Sequence, residues 1–236
     1  MSATYQALAL LLRYPSAEVQ ALAAEAGRII ATNAEIPSSV RRGLRSLAAG
    51  LSETDLYDLQ ERYVGLFDRT RSLSLNLYEH VHGESRDRGE AMVGLLELYR
   101  RHGLELSGCE LPDHLPVFLE FLSTLPEAEA ASLLGEAAHV LSALGERLYK
   151  RQSPYRAVFA ALAALADQAV DGEALAALLS EPEDDPDDLE AMDRMWAEAA
   201  VTFGPGDAGC PKAEALVAAM NTPPAPRRPL VVERRA

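Results

Sequence analysis

The sequence predicts an all-α protein built as a single helical bundle, and three observations predict it. Apolar residues recur three and four apart through most of positions 1–180, the spacing of one helix face. Alanine and leucine carry most of the 48% apolar content while aromatics make up 6%; both are strong helix formers, and the β-branched residues that fill sheets are thinly spread. Proline, serine and glycine interrupt the periodic runs where helices start and stop. At 236 residues the chain can bury a core without disulfides or metals.

The elements follow in order. Tyr5, Leu8, Leu11 and Leu12 share a face, and Pro15 ends that pattern. Ser16 suits the N-cap of a second helix with Val19, Leu22, Ala23, Ala26, Ile29 and Ile30 inward. After Pro37 a shorter helix carries Val40, Leu44 and Leu47. Ser52-Glu53-Thr54-Asp55 resembles a capping signal, opening a helix with Leu56, Leu59, Tyr63, Leu66 and Phe67 inward. Between Thr70 and Tyr78 the leucines alternate (Leu73, Leu75, Leu77), a strand period. One short strand without a partner makes no sheet, so this piece reads as an extended loop burying alternate leucines.

Helix resumes near Arg88, with Met92, Leu95, Leu96 and Tyr99 inward, and Gly103 ends it. Pro112 suits the first turn of a helix carrying Leu115, Phe118, Leu119 and Leu122. Pro126 restarts one long helix running to Leu148, and Ser153-Pro154 begins another with Val158, Phe159, Leu162 and Leu165. A short segment around Leu175, Leu178 and Leu179 completes a helical domain expected to span residues 1–180. Residues 181–188 read as an acidic, proline-broken linker, 189–221 as a loosely attached C-terminal helical segment, and 222–236 as a disordered Pro/Arg-rich tail.

Charge narrows the function. The net charge of -14, from 36 acidic against 22 basic residues, repels nucleic acid and anionic membranes and attracts basic peptides. The same acidity also serves solubility. Cys109 and Cys210 form no CxxC, so neither a zinc ribbon nor a disulfide framework is indicated. The apolar run Leu8 to Leu12 lacks a basic leader and a cleavage site, and no stretch is long enough to cross a bilayer. A cytoplasmic protein without direct membrane insertion is expected.

Ionisable residues concentrate between Asp68 and Gly89, and three readings compete for them. His80 and His82 with Glu79, Glu84 and Asp87 offer metal ligands, the basis for a metal-dependent helical enzyme, but at a spacing that needs a loop to converge. Ser74 or Ser85 with His80 or His114 and Asp113 can be drawn as a catalytic triad, without a nucleophile elbow to support it. Alternating charges such as Arg86-Asp87-Arg88 can brace a loop or meet a bound peptide. Residue types alone do not separate a salt-bridged loop from a binding loop.

The segments Glu61-Arg62-Tyr63-Val64-Gly65-Leu66-Phe67-Asp68, Leu73-Ser74-Leu75 and Tyr78-Glu79-His80-Val81-His82-Gly83 resemble the NarJ family. So do Ser85-Arg86-Asp87-Arg88-Gly89 and Glu110-Leu111-Pro112-Asp113-His114-Leu115-Pro116. The Tyr63/Leu66/Phe67 element and the Pro112-Asp113-His114 turn are also similar to the wider TorD/DmsD class of redox-enzyme maturation proteins. The resemblance covers about residues 5–125 and weakens through Trp196-Ala197-Glu198. It implies a TorD/NarJ-type bundle and a chaperone, not an enzyme, with no cofactor of its own. Its implied partner is the apo catalytic (alpha) subunit of respiratory nitrate reductase, including its N-terminal peptide, held for molybdenum cofactor insertion. Cofactor-delivery proteins are further candidate partners, and another molybdoenzyme is the alternative client.

On that resemblance the candidate partner-binding residues are Tyr63, Leu66, Phe67, Asp68, Glu79, His80, His82, Arg86, Asp87, Arg88, Asp113 and His114. Tyr63, Leu66 and Phe67 read first as core, because inward stripes are usually core, and second as the floor of a groove. Asp113 reads as a cap for its own helix or as a partner contact.

Overall fold

The computed structural model describes residues 2–83, 85–106 and 110–180; the expected linker, C-terminal segment and tail lie outside the described residues. Eleven α-helices run through them: α1 (Ser2–Leu12), α2 (Ala17–Ala31), α3 (Ser38–Glu53), α4 (Leu56–Tyr63), α5 (Leu77–His82), α6 (Arg86–Arg101), α7 (Leu115–Leu122), α8 (Glu127–Glu136), α9 (Ala138–Lys150), α10 (Arg156–Leu165) and α11 (Gly172–Ser180). No strand forms among the described residues; the sole β element there is one isolated bridge. The fold is all-α, as expected.

Helix α1 is the axis. Thr4, Tyr5, Ala7, Leu8, Ala9, Leu11 and Leu12 are buried against α2, α7 and α10, while the stripe of Ala3, Gln6 and half-buried Leu10 faces solvent. A helix apolar over most of its circumference must be covered over most of it. Ser16 caps α2 as expected, its Oγ accepting from Val19 N at 3.2 Å. α3 lies against α2, and Gln20 Nε2 ties the start of α2 to the end of α3 by donating to Leu51 O (3.1 Å) and Thr54 O (2.8 Å). Gly27 permits their close approach: a Cβ there would stand 2.9 Å from Ala48 Cβ. The remaining helices close one shared core that includes Leu44, Leu119, Leu144 and Leu162.

Several boundaries differ from expectation. Leu22 is exposed, since the inward arc of α2 is filled by Val19, Ala23, Ala26 and Ile30. α3 runs sixteen residues and absorbs Ser52 and Glu53, so Asp55 alone caps α4, accepting from Tyr57 N at 2.9 Å. α4 does not continue through Phe67 as an α-helix. It opens into a π-helical turn, Val64–Asp68, closed by Arg69 N donating to Val64 O at 3.0 Å. A 3-10 turn, Arg71–Leu73, follows. Pro112 precedes α7, and Pro116 takes the first-turn position instead. The long helix expected from Pro126 breaks at Ala137, and α10 starts two residues past Pro154. The alternating leucines Leu73, Leu75 and Leu77 are buried as expected, but Leu73 sits in the 3-10 turn and Leu77 opens α5, and Ser72 and Ser74 beside them are buried as well.

One buried charge crosses this core. Arg147 of α9 is 1% exposed and donates to Ser72 O (2.7 Å) and Leu178 O (2.6 Å). A buried guanidinium holds only where acceptors meet it.

Truncating the centre of the axis tests this packing. Leu8→Ala, at a fully buried site, is expected to lower stability by about 2–5 kcal/mol. The urea midpoint should fall at unchanged m-value.

Candidate functional site

The extended segment finds its partner in the turn after Pro112. Leu115 N donates to Leu75 O (2.8 Å), Leu77 N donates to Asp113 O (3.0 Å), and Asn76 and His114 form the antiparallel bridge. Successive residues on an extended strand face opposite ways. Asp113 accordingly borders one cavity and His114 another.

Glu79 of α5 organises the polar loop. Its Oε2 accepts from Ser74 Oγ at 2.8 Å and its Oε1 from Arg71 Nε at 3.3 Å. Arg88 of α6 stands 3.9 Å from both Glu79 Oε2 and Asp113 Oδ2, bridging the two acids. His80 Nε2 lies 2.8 Å from Ser74 O; a carbonyl only accepts, so this nitrogen carries the proton. Asp113 is fully buried and does not cap its own helix, since α7 has no side-chain cap. It caps α5 across the chain, Oδ2 accepting from Tyr78 N at 3.1 Å, where the local N-cap Asn76 supplies no side-chain bond. Asp113 Oδ1 and Arg88 Nε have no hydrogen-bond partner among the described residues. Gly83 ends α5 at φ +55°, a conformation that favours glycine.

On the Asp113 side lies an apolar cavity of about 240 Å³ among Leu77, Tyr78, Leu95, Phe118 and Val140, with His82 and Glu136 also on its wall. Tyr78 stacks edge-on against His82, and burial, with Asp113 and Glu136 nearby, raises its hydroxyl above the usual value. On the His114 side is a groove of about 700 Å³. Its walls carry Asp68, Glu105, Glu110 and Glu120, with Arg13 and His114 as the basic residues. Its floor is Tyr63, whose hydroxyl donates to Leu12 O at 2.9 Å and whose ring meets Tyr14 at 5.5 Å and Phe67 at 4.9 Å.

The π-turn shapes this wall. Its five-residue hydrogen bond brings residues five apart nearly into line, so Tyr63 and Asp68 both face the groove. Desolvation by the walls raises the Asp68 carboxyl above the ordinary range, against the pull of His114 and with Glu110 adding to the rise. Burial lowers His114 below the usual imidazole value although Glu110, Asp113, Asp68 and Glu120 all oppose it. The groove is thus an acidic trough whose carboxylates reach solvent, with a half-buried imidazole at its rim whose burial favours the neutral form.

The structure brings Glu79, His80, Arg88 and Asp113 into one cluster, and Tyr63, Asp68 and His114 into the groove. Phe67 is core, and Leu66 lines a separate small cavity beside Pro154 and Tyr155. Asp87 is exposed in the first turn of α6; the side chain of Arg86 and all of Glu84 lie outside the described residues. Among the described residues no three His, Cys, Asp or Glu side chains converge as a metal site. The Ser74 hydroxyl serves Glu79 and not an imidazole. Tyr14, Glu105, Glu110 and Glu120 were not anticipated. Their spacing follows no period, and the turn that gathers them leaves no mark in the sequence beyond Pro112.

The helical bundle has a counterpart among solved structures. A crystal structure of an Archaeoglobus fulgidus protein assigned to redox enzyme maturation matches it at TM-score 0.51 and 24% identity, over 69% of this chain and 91% of that one. The model of the nitrate reductase delta subunit family matches residues 33–161. The Escherichia coli K12 nitrate reductase molybdenum cofactor assembly chaperone NarJ is 42% identical over 85% of this chain and 84% of its own length. Escherichia coli NarW is 42% identical over 68% of this chain and 69% of its own. The chain belongs to the NarJ, or nitrate reductase delta subunit, family of assembly chaperones. None of the described helices is long and apolar enough to cross a membrane.

Two outcomes are expected at the groove. Asp68 binds its proton more tightly folded than unfolded, so its charged form weighs against folding at neutral pH. Asp68→Asn should therefore leave stability equal or raised in a denaturation series at about pH 7. His114 has the opposite sense: with its folded pKa depressed, the unfolded chain takes up the proton first as the pH falls. Its share of stability is full above about pH 6.5 and is lost below that. His114→Gln should flatten the decline of the urea midpoint between about pH 6.5 and 5 relative to the parent protein.

Proposed function

We propose that this protein is the dedicated assembly chaperone of a respiratory nitrate reductase. It binds the apo catalytic subunit in the cytoplasm, its N-terminal segment included, and holds it competent for molybdenum cofactor insertion before the enzyme assembles at the membrane. The observation that carries this reading is the 42% identity to the NarJ chaperone across most of both chains. The geometry supports it. A trough with four carboxylates on its walls and an aromatic floor suits a basic, partly apolar segment, and the adjoining apolar cavity suits one side-chain anchor. In this reading Tyr63, Asp68 and His114 meet the segment directly, and Glu79, His80, Arg88 and Asp113 hold the loop that separates the two cavities. Leu66, Phe67, His82 and Asp87 complete the surrounding surface and its support. The molybdenum cofactor is cargo of the partner.

Calorimetric titration with the N-terminal peptide of the host's nitrate reductase catalytic subunit tests this. Sequence-specific binding near the micromolar range, about -8 kcal/mol, is expected, weakening with added salt. Asp68→Asn and Glu110→Gln should each weaken it about twofold to fivefold, as loss of a rim charge does. Binding to the whole apo-subunit but not to the peptide would move recognition elsewhere on the partner. Binding to neither would overturn the reading.

A further inference from the structure

The clamp made by Arg147 links two places that no function has yet joined. One is the turn Arg71–Leu73: Ser72, whose carbonyl Arg147 holds, lies between Arg71 and Ser74, the two residues that donate to Glu79. The other is the last turn of α11, through Leu178 O. Both hydrogen bonds of this buried guanidinium go to backbone carbonyls, and its Nε finds no acceptor among the described residues. A cation so placed has no carboxylate to fall back on, and it costs free energy whenever either carbonyl leaves.

α11 is the weakly held partner in this arrangement. Over nine residues it buries one side chain, Leu178, with Leu175 and Leu179 partly covered, and among the described residues its main packing partner is α9. Its first turn is capped only by its own Asp171, which accepts from Glu173 N and Ala174 N. The chain leading into it, Asp167 to Asp171, is exposed; it packs on Gly135 of α8 through Asp167 and Gln168 and makes two long bonds there, Asp167 N to Ala131 O (3.4 Å) and Gln168 Nε2 to Ser132 O (3.3 Å). Few buried apolar contacts mark a segment that opens well before the whole fold does.

We propose that α11 is a detachable strap, coupled through Arg147 to the polar loop around Glu79. Docked, it completes the shell of the guanidinium and holds the Ser72 turn in register, so that Arg71 and Ser74 converge on Glu79. Released, it uncovers Arg147, which then turns to water, and the hydrogen bond from Arg147 to the Ser72 carbonyl is lost. Coupling of this kind runs both ways: whatever grips the polar loop also changes how firmly α11 is docked. The partner chaperoned by the protein need not touch α11 to sense it.

Hydrogen exchange read by mass spectrometry on the full chain tests the strap. In the parent protein, amides of α11 should exchange at least about tenfold faster than those of α9. Leu178→Ala, which loosens α11 and leaves Arg147 in place, should also speed exchange across residues 72–82 by about tenfold, the worth of one hydrogen bond to a charged group. Protection in α1 to α3 should stay unchanged. Arg147→Met, which keeps the bulk and removes both bonds, should loosen the same two segments. The proposal is overturned if α11 exchanges no faster than α9 in the parent protein. It is equally overturned if Leu178→Ala frees α11 while residues 72–82 keep their protection, or if that variant loosens α1 to α3 to the same degree.

Discussion

The arrangement around the two cavities depends on the buried carboxylate of Asp113. It stands in a turn 35 residues from the helix it caps, and its backbone oxygen accepts from the first residue of that same helix. A six-residue helix such as α5 has too few internal hydrogen bonds to stand alone. Asp113 supplies what α5 lacks, and Arg88 balances the charge that burial would otherwise make prohibitive. Through these contacts the extended segment, the turn before α7 and the start of α6 become one unit. The aromatic floor and the acidic walls then assemble on one side of it and the apolar cavity on the other.

The groove itself is an arrangement that folding does not favour. Four exposed carboxylates crowd its walls, and the proton affinities of Asp68 and His114 both shift in the direction that burial imposes. Sites held against local preference cluster where a protein meets a partner. A basic segment would relieve the charge that the fold leaves uncompensated, so the same feature that weakens the free protein adds to the stability of its complex. For a protein that must hold its client and then let it go, modest complementarity of this kind is sufficient.

Much of the bundle was legible in the sequence because helix periodicity, proline and glycine are local signals. Ser16 as a cap, Gly103 as a stop and the inward Leu95 and Tyr99 of α6 all followed from neighbours within a few residues. The failures have a common cause: they were decided by distant contacts. Asn76 is a capping residue type that makes no side-chain bond here, and the strand-like leucines before it hide a helix that depends on Asp113. The alternating leucines were read correctly as buried, but their pairing with residues 113–115 needed the chain to return. Leu22 was misplaced because small alanines took the inward arc beside it. At the site, motif resemblance pointed to the residues of the loop, whereas Tyr14, Glu105 and Glu120 join the groove only through the fold.

The widened turn at Val64–Asp68 carries a further consequence. Tyr63 must reach Phe67 four positions on and share a wall with Asp68 five positions on, and only a wide turn serves both spacings at once. The number of residues between the tyrosine and the aspartate is therefore a dimension of the groove, as a wall's thickness is a dimension of a room. A single-residue deletion there would leave the chemistry of the segment almost untouched and still turn either the ring or the carboxylate away. This stretch is built to tolerate a change of letter more readily than a change of length.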